Sequence, residues 1–228
     1  MQKPYIKKYG KIAHFTIWTV DGQYIRKNID EEFTNFGQHY RFSFIPKDEF
    51  WIDHEYGPGE DQFYIDHLLV ENRLMASGMS YDKALMRADQ IEKKERSKSA
   101  LIKRIASLDS KHLIDDIHKT LLRKYSKNVN VWIVRGELVR GLLFIDFTEG
   151  GHDKVYPFVP EKEIWLDDEL GPQERKFVLL HELHERYLMS QGWIYKKAHK
   201  DSSESEYYCR SHPEELEAKL QLEIDRNK

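Results

Sequence analysis

The sequence predicts an α+β protein built by tandem duplication of one unit. Two observations carry this. The segment FIPKDEFWIDHEYGP beginning at Phe44 matches FVPEKEIWLDDELGP beginning at Phe158, and HLLVENRLM from His67 matches HELHERYLM from His181, all at a constant offset of 114. The register runs without a gap from Ile17/Val131 to Ser97/Ser211, with about one position in three identical. Within each copy, short segments of period-two apolar alternation are followed by two segments of helical period. The offset is half of the 228-residue length.

Each copy reads in the same order. Alternating apolar residues flank Asp21-Gly22 and Arg135-Gly136, which suggests a β-hairpin at each. A Gly-containing loop leads to an apolar segment ending Phe-Ile-Pro or Phe-Val-Pro. A short strand follows over Phe50–Asp53 or Ile164–Asp167. Gly57-Pro58 and Gly171-Pro172 then announce a helix start, where the missing N–H of proline is harmless. Helices are expected over about Glu60–Ser77 and Gln173–Gln191, stopping at Gly78 and Gly192. Second helices cover about Tyr81–Arg96 and Tyr195–Arg210. The small sheet of each unit is expected to be antiparallel and to pack against this helical hairpin.

These limits give a first repeat over residues 1–98, a connector over 99–129 and a second repeat over 130–228. The connector has an amphipathic rhythm (Leu101, Ile102, Ile105, Leu108, Leu113, Ile114, Ile117, Leu121, Leu122) that reads as two helices broken near Asp109-Ser110. Ser211 with Glu214 reads as a capping box for a last helix, about Pro213–Asp225.

Composition narrows the function classes. Thirty-six basic and 39 acidic residues leave a net charge of −3, which disfavours binding nucleic acid through bulk charge. A single cysteine forms no internal disulfide and fits a reducing compartment. A mean hydropathy of −0.72, with no long apolar run, argues against a membrane span. The N-terminal residues lack a signal-peptide apolar region. The expectation is a cytoplasmic protein without membrane contact.

The duplication acts as an internal control. His67/His181, Glu71/Glu185 and Glu92/Glu206 are shared. Leu68, Val70, Leu85 and Gln38 become Glu182, His184, His199 and His152 in the second copy. The second copy is therefore the candidate active lobe and the first a degenerate one. His181 and Glu185 stand four apart, on one face of a helix. With Glu182 they give an H-E-x-x-E variant of the H-E-x-x-H helix, in which two residues hold zinc and the intervening Glu is general base. A chain reversal at Gly192 would bring His199 alongside as a third ligand, leaving one position open. Glu206 is placed to orient a ligand. Tyr195 or His184 is a candidate for oxyanion stabilisation. His152, in Glu149-Gly-Gly-His-Asp153, is a candidate loop ligand, although a glycine-rich turn is the default there.

The segment Ile164–Glu185 resembles the strand-plus-helix core of minimal zincin metallopeptidases of the ImmA/IrrE class. The resemblance covers 22 of 228 residues. It implies a zinc peptidase acting on a peptide or protein, with the strand near Ile164 lining the substrate. This chain departs from the pattern at Glu185, where the family has its second histidine. Either Glu185 replaces it or His184 ligates from the adjacent position. The expected activity is zinc-dependent hydrolysis of the peptidase type. A non-enzymatic scaffold of two homologous lobes, and a metal-dependent nuclease or phosphoesterase, are the alternatives.

Overall fold

The structure is a computed structural model in which residues 3–55, 59–107 and 110–228 are described. The expected Gly57-Pro58 punctuation, and Leu108 and Asp109 of the connector, lie outside these residues.

Both copies follow one plan. In the first, β1 (Tyr5–Ile12) pairs antiparallel with β2 (Phe15–Val20). The short helix α1 (Gly22–Asn28) precedes β3 (Phe36–Gln38) and β4 (Glu49–Asp53). The sheet order is β1-β2-β4-β3, with β2 and β4 parallel and β3 antiparallel to β4. In the second copy, β5 (His118–Leu121), β6 (Asn130–Val134), α6 (Gly136–Leu142), β7 (Gly150–His152) and β8 (Glu163–Asp167) repeat this as β5-β6-β8-β7.

The α+β class and the two equivalent sheets agree with the sequence. The sheets, however, are mixed and not wholly antiparallel, and no hairpin turns at Gly22 or Gly136. The reason lies at the end of β2. The Asp21 carboxylate accepts the Tyr24 backbone N–H at 2.9 Å and caps α1, so the chain enters a helix. It then crosses over and returns in the same direction as β4, which a parallel pair requires. Gly22 serves close approach: an added Cβ would lie 1.7 Å from Asp53 Oδ2, and the equivalent atom on Gly136 would lie 2.2 Å from Asp167 Oδ2.

The helical hairpins form as expected, as α2 (Asp61–Ala76) with α3 (Tyr81–Arg96) and α7 (Glu174–Ser190) with α8 (Tyr195–Ser211). Gly78 and Gly192 both take φ +90, a conformation glycine adopts without strain. Around Gly192, the Gly192 N–H donates to Met189 O at 3.0 Å and the Trp193 N–H to Leu188 O at 3.1 Å. This Schellman arrangement satisfies the last carbonyls of α7 and reverses the chain.

The connector is helical over α4 (Ala100–Ala106) and α5 (Ser110–Ile117), but His118–Leu121 is strand β5, not helix. It is the counterpart of β1. His118 faces Val134 as Tyr5 faces Val20, one residue out of the offset of 114. The aromatic role is retained: Tyr5 Oη donates to Glu49 Oε2 at 2.9 Å, and His118 Nε2 lies 2.9 Å from Glu163 Oε2 while stacking on Trp132. At the C-terminus a 3₁₀ turn, Pro213–Glu215, leads into α9 (Leu216–Arg226). Ser211 is the last residue of α8, and no side chain caps the 3₁₀ turn, so the expected capping box does not form.

The chain divides into two compact units, Met1–Ser107 with Arg140–Asp146, and Leu108–Val139 with Phe147–Lys228. The first has Val20, Ile25, Phe33, Phe42, Ile45 and Trp51 in its core. It also buries Glu60 between the guanidinium groups of Arg96 and Arg140. In the second, Val131, Ile164, Trp165, Leu166 and Leu179 are at most 1% exposed. Each such side chain contributes about 1.5–3 kcal/mol on burial. Here α7 packs on β7, β8, α8 and α9, and this placement builds the site. Among the described residues no helix is long and apolar enough to cross a membrane.

Candidate metal centre

The helix α7 buries nearly its whole circumference. Phe177, Val178, Leu180 and Leu183 are buried, and so are His181, Glu182 and Glu185. A helix that buries polar groups must give them partners, and α8, returning after Gly192, supplies them. His181 Nε2 lies 3.1 Å from His199 Nδ1. Glu185 Oε2 lies 2.9 Å from His199 Nδ1 and 3.6 Å from His181 Nε2. Three donor atoms from three residues thus meet at one point. His199 is 41% exposed at its side chain, so the point opens to solvent.

A second layer fixes these atoms. His181 Nδ1 lies 2.9 Å from Glu206 Oε2, so Nδ1 donates and Nε2 is turned to His199 and Glu185. Arg210 donates to Glu206 Oε1 from Nε at 3.0 Å and to Glu174 Oε2 from Nη1 at 3.0 Å. Burial alone would raise the Glu206 carboxyl, but Arg210 and His181 hold it down at about 2. Burial likewise opposes charge on His181, and its carboxylate partners Glu185 and Glu206 outweigh that and raise it well above the usual histidine value. Glu185 is driven low by His152, His181 and His199 against its burial.

Glu182 differs. No group among the described residues hydrogen-bonds its carboxylate. Burial, and then repulsion from Glu185, push it up to about 8. Gly150 of β7 makes room beside it: a Cβ there would lie 3.2 Å from Glu182 Cγ and 3.0 Å from the Trp165 carbonyl oxygen. The first copy has Phe36 at this place, its ring centroid 5.2 Å from that of His67.

Among the described residues, two His/Glu groups could hold a metal ion: His181, Glu185 and His199, and His152, Glu182 and Glu185. Within each, one ligand atom per residue lies within 4.8 Å of the others. The first trio is the one the sequence spacing proposes. Tyr195 stands at the start of α8 with its ring stacked on His199, centroids 5.3 Å apart. His184 is engaged elsewhere, with Nε2 2.8 Å from Asp201 Oδ1 and Nδ1 3.1 Å from Glu223 Oε1, and so joins α7 to α8 and α9. His152, which the sequence places in a loop, is fully buried on the edge strand β7, 3.1 Å from Glu185 Oε1. Burial lowers its pKa and keeps the ring neutral. The exchange of Gln38 for His152 was the available signal for it.

The first copy keeps the frame, with His67 and Glu71 at the places of His181 and Glu185, but lacks the third donor. His67 Nδ1 lies 2.8 Å from Glu92 Oε2, and Arg96 Nε donates to Glu92 Oε1 at 2.8 Å. Leu68 and Leu85 stand where Glu182 and His199 stand. No family model matches the chain, and neither the curated proteins nor the solved structures give a match.

Proposed function

We propose that the protein is a zinc-dependent hydrolase of the peptidase type whose centre lies between α7 and α8. The convergence of His181, Glu185 and His199 carries this reading. Zinc–nitrogen and zinc–oxygen bonds of about 2.0–2.1 Å in a tetrahedron separate neighbouring ligands by about 3.3 Å. The three separations here, 2.9, 3.1 and 3.6 Å, bracket that value. Two imidazole nitrogens and one carboxylate oxygen are also a donor set that suits zinc and leaves a fourth position open. When bound, zinc would supply Lewis-acid polarisation of a carbonyl and activation of a water.

The protein's own groups do the rest. Glu206 and Arg210 hold the His181 ring so that Nε2 faces the open point. Glu182, with a carboxyl poised near neutral pH, takes the proton of the attacking water and returns it to the departing amine nitrogen. A dication nearby favours its ionised, basic form. Tyr195, stacked on His199, is the candidate donor to the developing oxyanion. The expected substrate is a peptide or protein segment.

The test is cleavage of a peptide library by zinc-loaded protein, read by mass spectrometry. Glu182→Gln is expected to abolish cleavage while leaving the metal bound. Undiminished cleavage by this variant rejects Glu182 as base, and a library left intact by the zinc-loaded wild type rejects the peptidase.

A further inference from the structure

The two His/Glu groups share Glu185, which raises the question of whether His152 is a second imidazole ligand. We infer that it is not. His152 is a positioning residue that donates Nε2–H to Glu185 Oε1, aims Oε2 at His181 and His199, and leaves a centre for one metal.

The tautomer carries this. The backbone N–H of Lys154 donates to His152 Nδ1 at 3.1 Å. A backbone amide is a donor only, so Nδ1 presents its lone pair. In a neutral imidazole the proton then sits on Nε2. Nε2 is 3.1 Å from Glu185 Oε1, and with the proton there it has no lone pair for a metal. Ligation through Nε2 would require a proton on Nδ1 directed against the Lys154 N–H.

The first copy shows the same relay although leucines stand in place of Glu182 and His199. The backbone N–H of Tyr40, two residues after Gln38 as Lys154 is after His152, donates to Gln38 Oε1 at 2.8 Å. Gln38 Nε2 then donates to Glu71 Oε1 at 2.7 Å. Gln38 and His152 therefore fill one role: accept from the amide two residues on, and donate to the same oxygen of the shared glutamate. That role is present where His199 and Glu182 are replaced by leucines, so it does not depend on a metal.

The role of Glu185 Oε2 rests on the metal reading above, and two measurements on the full chain separate the claims. In metal-free protein at pH 7, histidine ¹⁵N NMR is expected to show His152 with its proton on Nε2, and a proton on Nδ1 overturns the inference. Titration with cobalt(II) is expected to give one equivalent in the wild type. His152→Gln, which installs the first copy's residue, should keep that stoichiometry, the visible cobalt spectrum and the affinity to within about 3-fold. His152→Leu should weaken binding by about 10–100-fold, the range for loss of a group that orients a metal ligand. A second equivalent that His152→Gln removes, or a spectrum altered as in His199→Ala, overturns it. If the wild type takes up no cobalt, the metal reading fails, and the NMR result still decides the role of His152.

Discussion

The first copy offers a test of electrostatics away from any metal. His67 is 3% exposed, with Nδ1 2.8 Å from Glu92 Oε2 and Nε2 3.5 Å from Glu71 Oε2. Burial opposes its charge, but the two carboxylates outweigh it and raise the pKa from 6.5 to about 9. Asp89 faces the same ring at 3.7 Å and is itself pushed up to about 7 by burial and by Asp146. A histidine whose folded pKa exceeds its unfolded value stabilises the fold fully below the unfolded pKa. That stabilisation is lost as pH rises through the folded one. At about 1.4 kcal/mol per pH unit, the raised pKa corresponds to about 3 kcal/mol, of which about 2 kcal/mol disappears between pH 7 and 9.5. The raised Asp89 carboxyl acts mostly below this window. The assay is guanidinium unfolding of the wild type and of His67→Gln at both pH values. Tyrosines, lysines and Cys209 titrate in both proteins and cancel in the difference. The wild type's advantage should shrink by about 2 kcal/mol at pH 9.5. An advantage that stays constant across the window refutes the charged, carboxylate-held His67.

Two further outcomes are expected. Glu60→Gln removes the charge of the carboxylate that lies between Arg96 and Arg140 and should destabilise the first unit by about 3–5 kcal/mol, read as a lower thermal midpoint. Gly150→Ala places a Cβ 3.2 Å from Glu182 Cγ and 3.0 Å from a backbone oxygen that cannot yield. It should therefore displace Glu182 and reduce turnover by about 10-fold or more, with metal content by elemental analysis unchanged.

The helical hairpins and the trio on α7 and α8 were legible because they rest on local rules. Gly78 and Gly192 end one helix and reverse the chain, and spacing of four on α7 aligns His181 with Glu185. What was not legible rests on contacts distant in sequence. Gly22 looked like a turn residue because its reason, the Asp53 carboxylate against it, stands 31 residues away. The strand β5 was hidden because its register is one residue out of step with β1, and because an apolar rhythm over a short, charged segment suits a helix equally. His152 sits in a glycine-rich segment, Glu149-Gly-Gly-His-Asp153, that reads as loop from local rules alone. The edge pairing of β7 with β8, with His152 opposite Ile164, is what carries it under α7.

The central claim is that His181, Glu185 and His199 hold a metal. Elemental analysis of protein purified without added metal measures this directly. One equivalent of zinc per chain is expected, lost on replacing His199 by the first copy's leucine. Less than about a tenth of an equivalent, with no gain on adding zinc, contradicts the claim, since a site of this donor set binds zinc tightly at neutral pH.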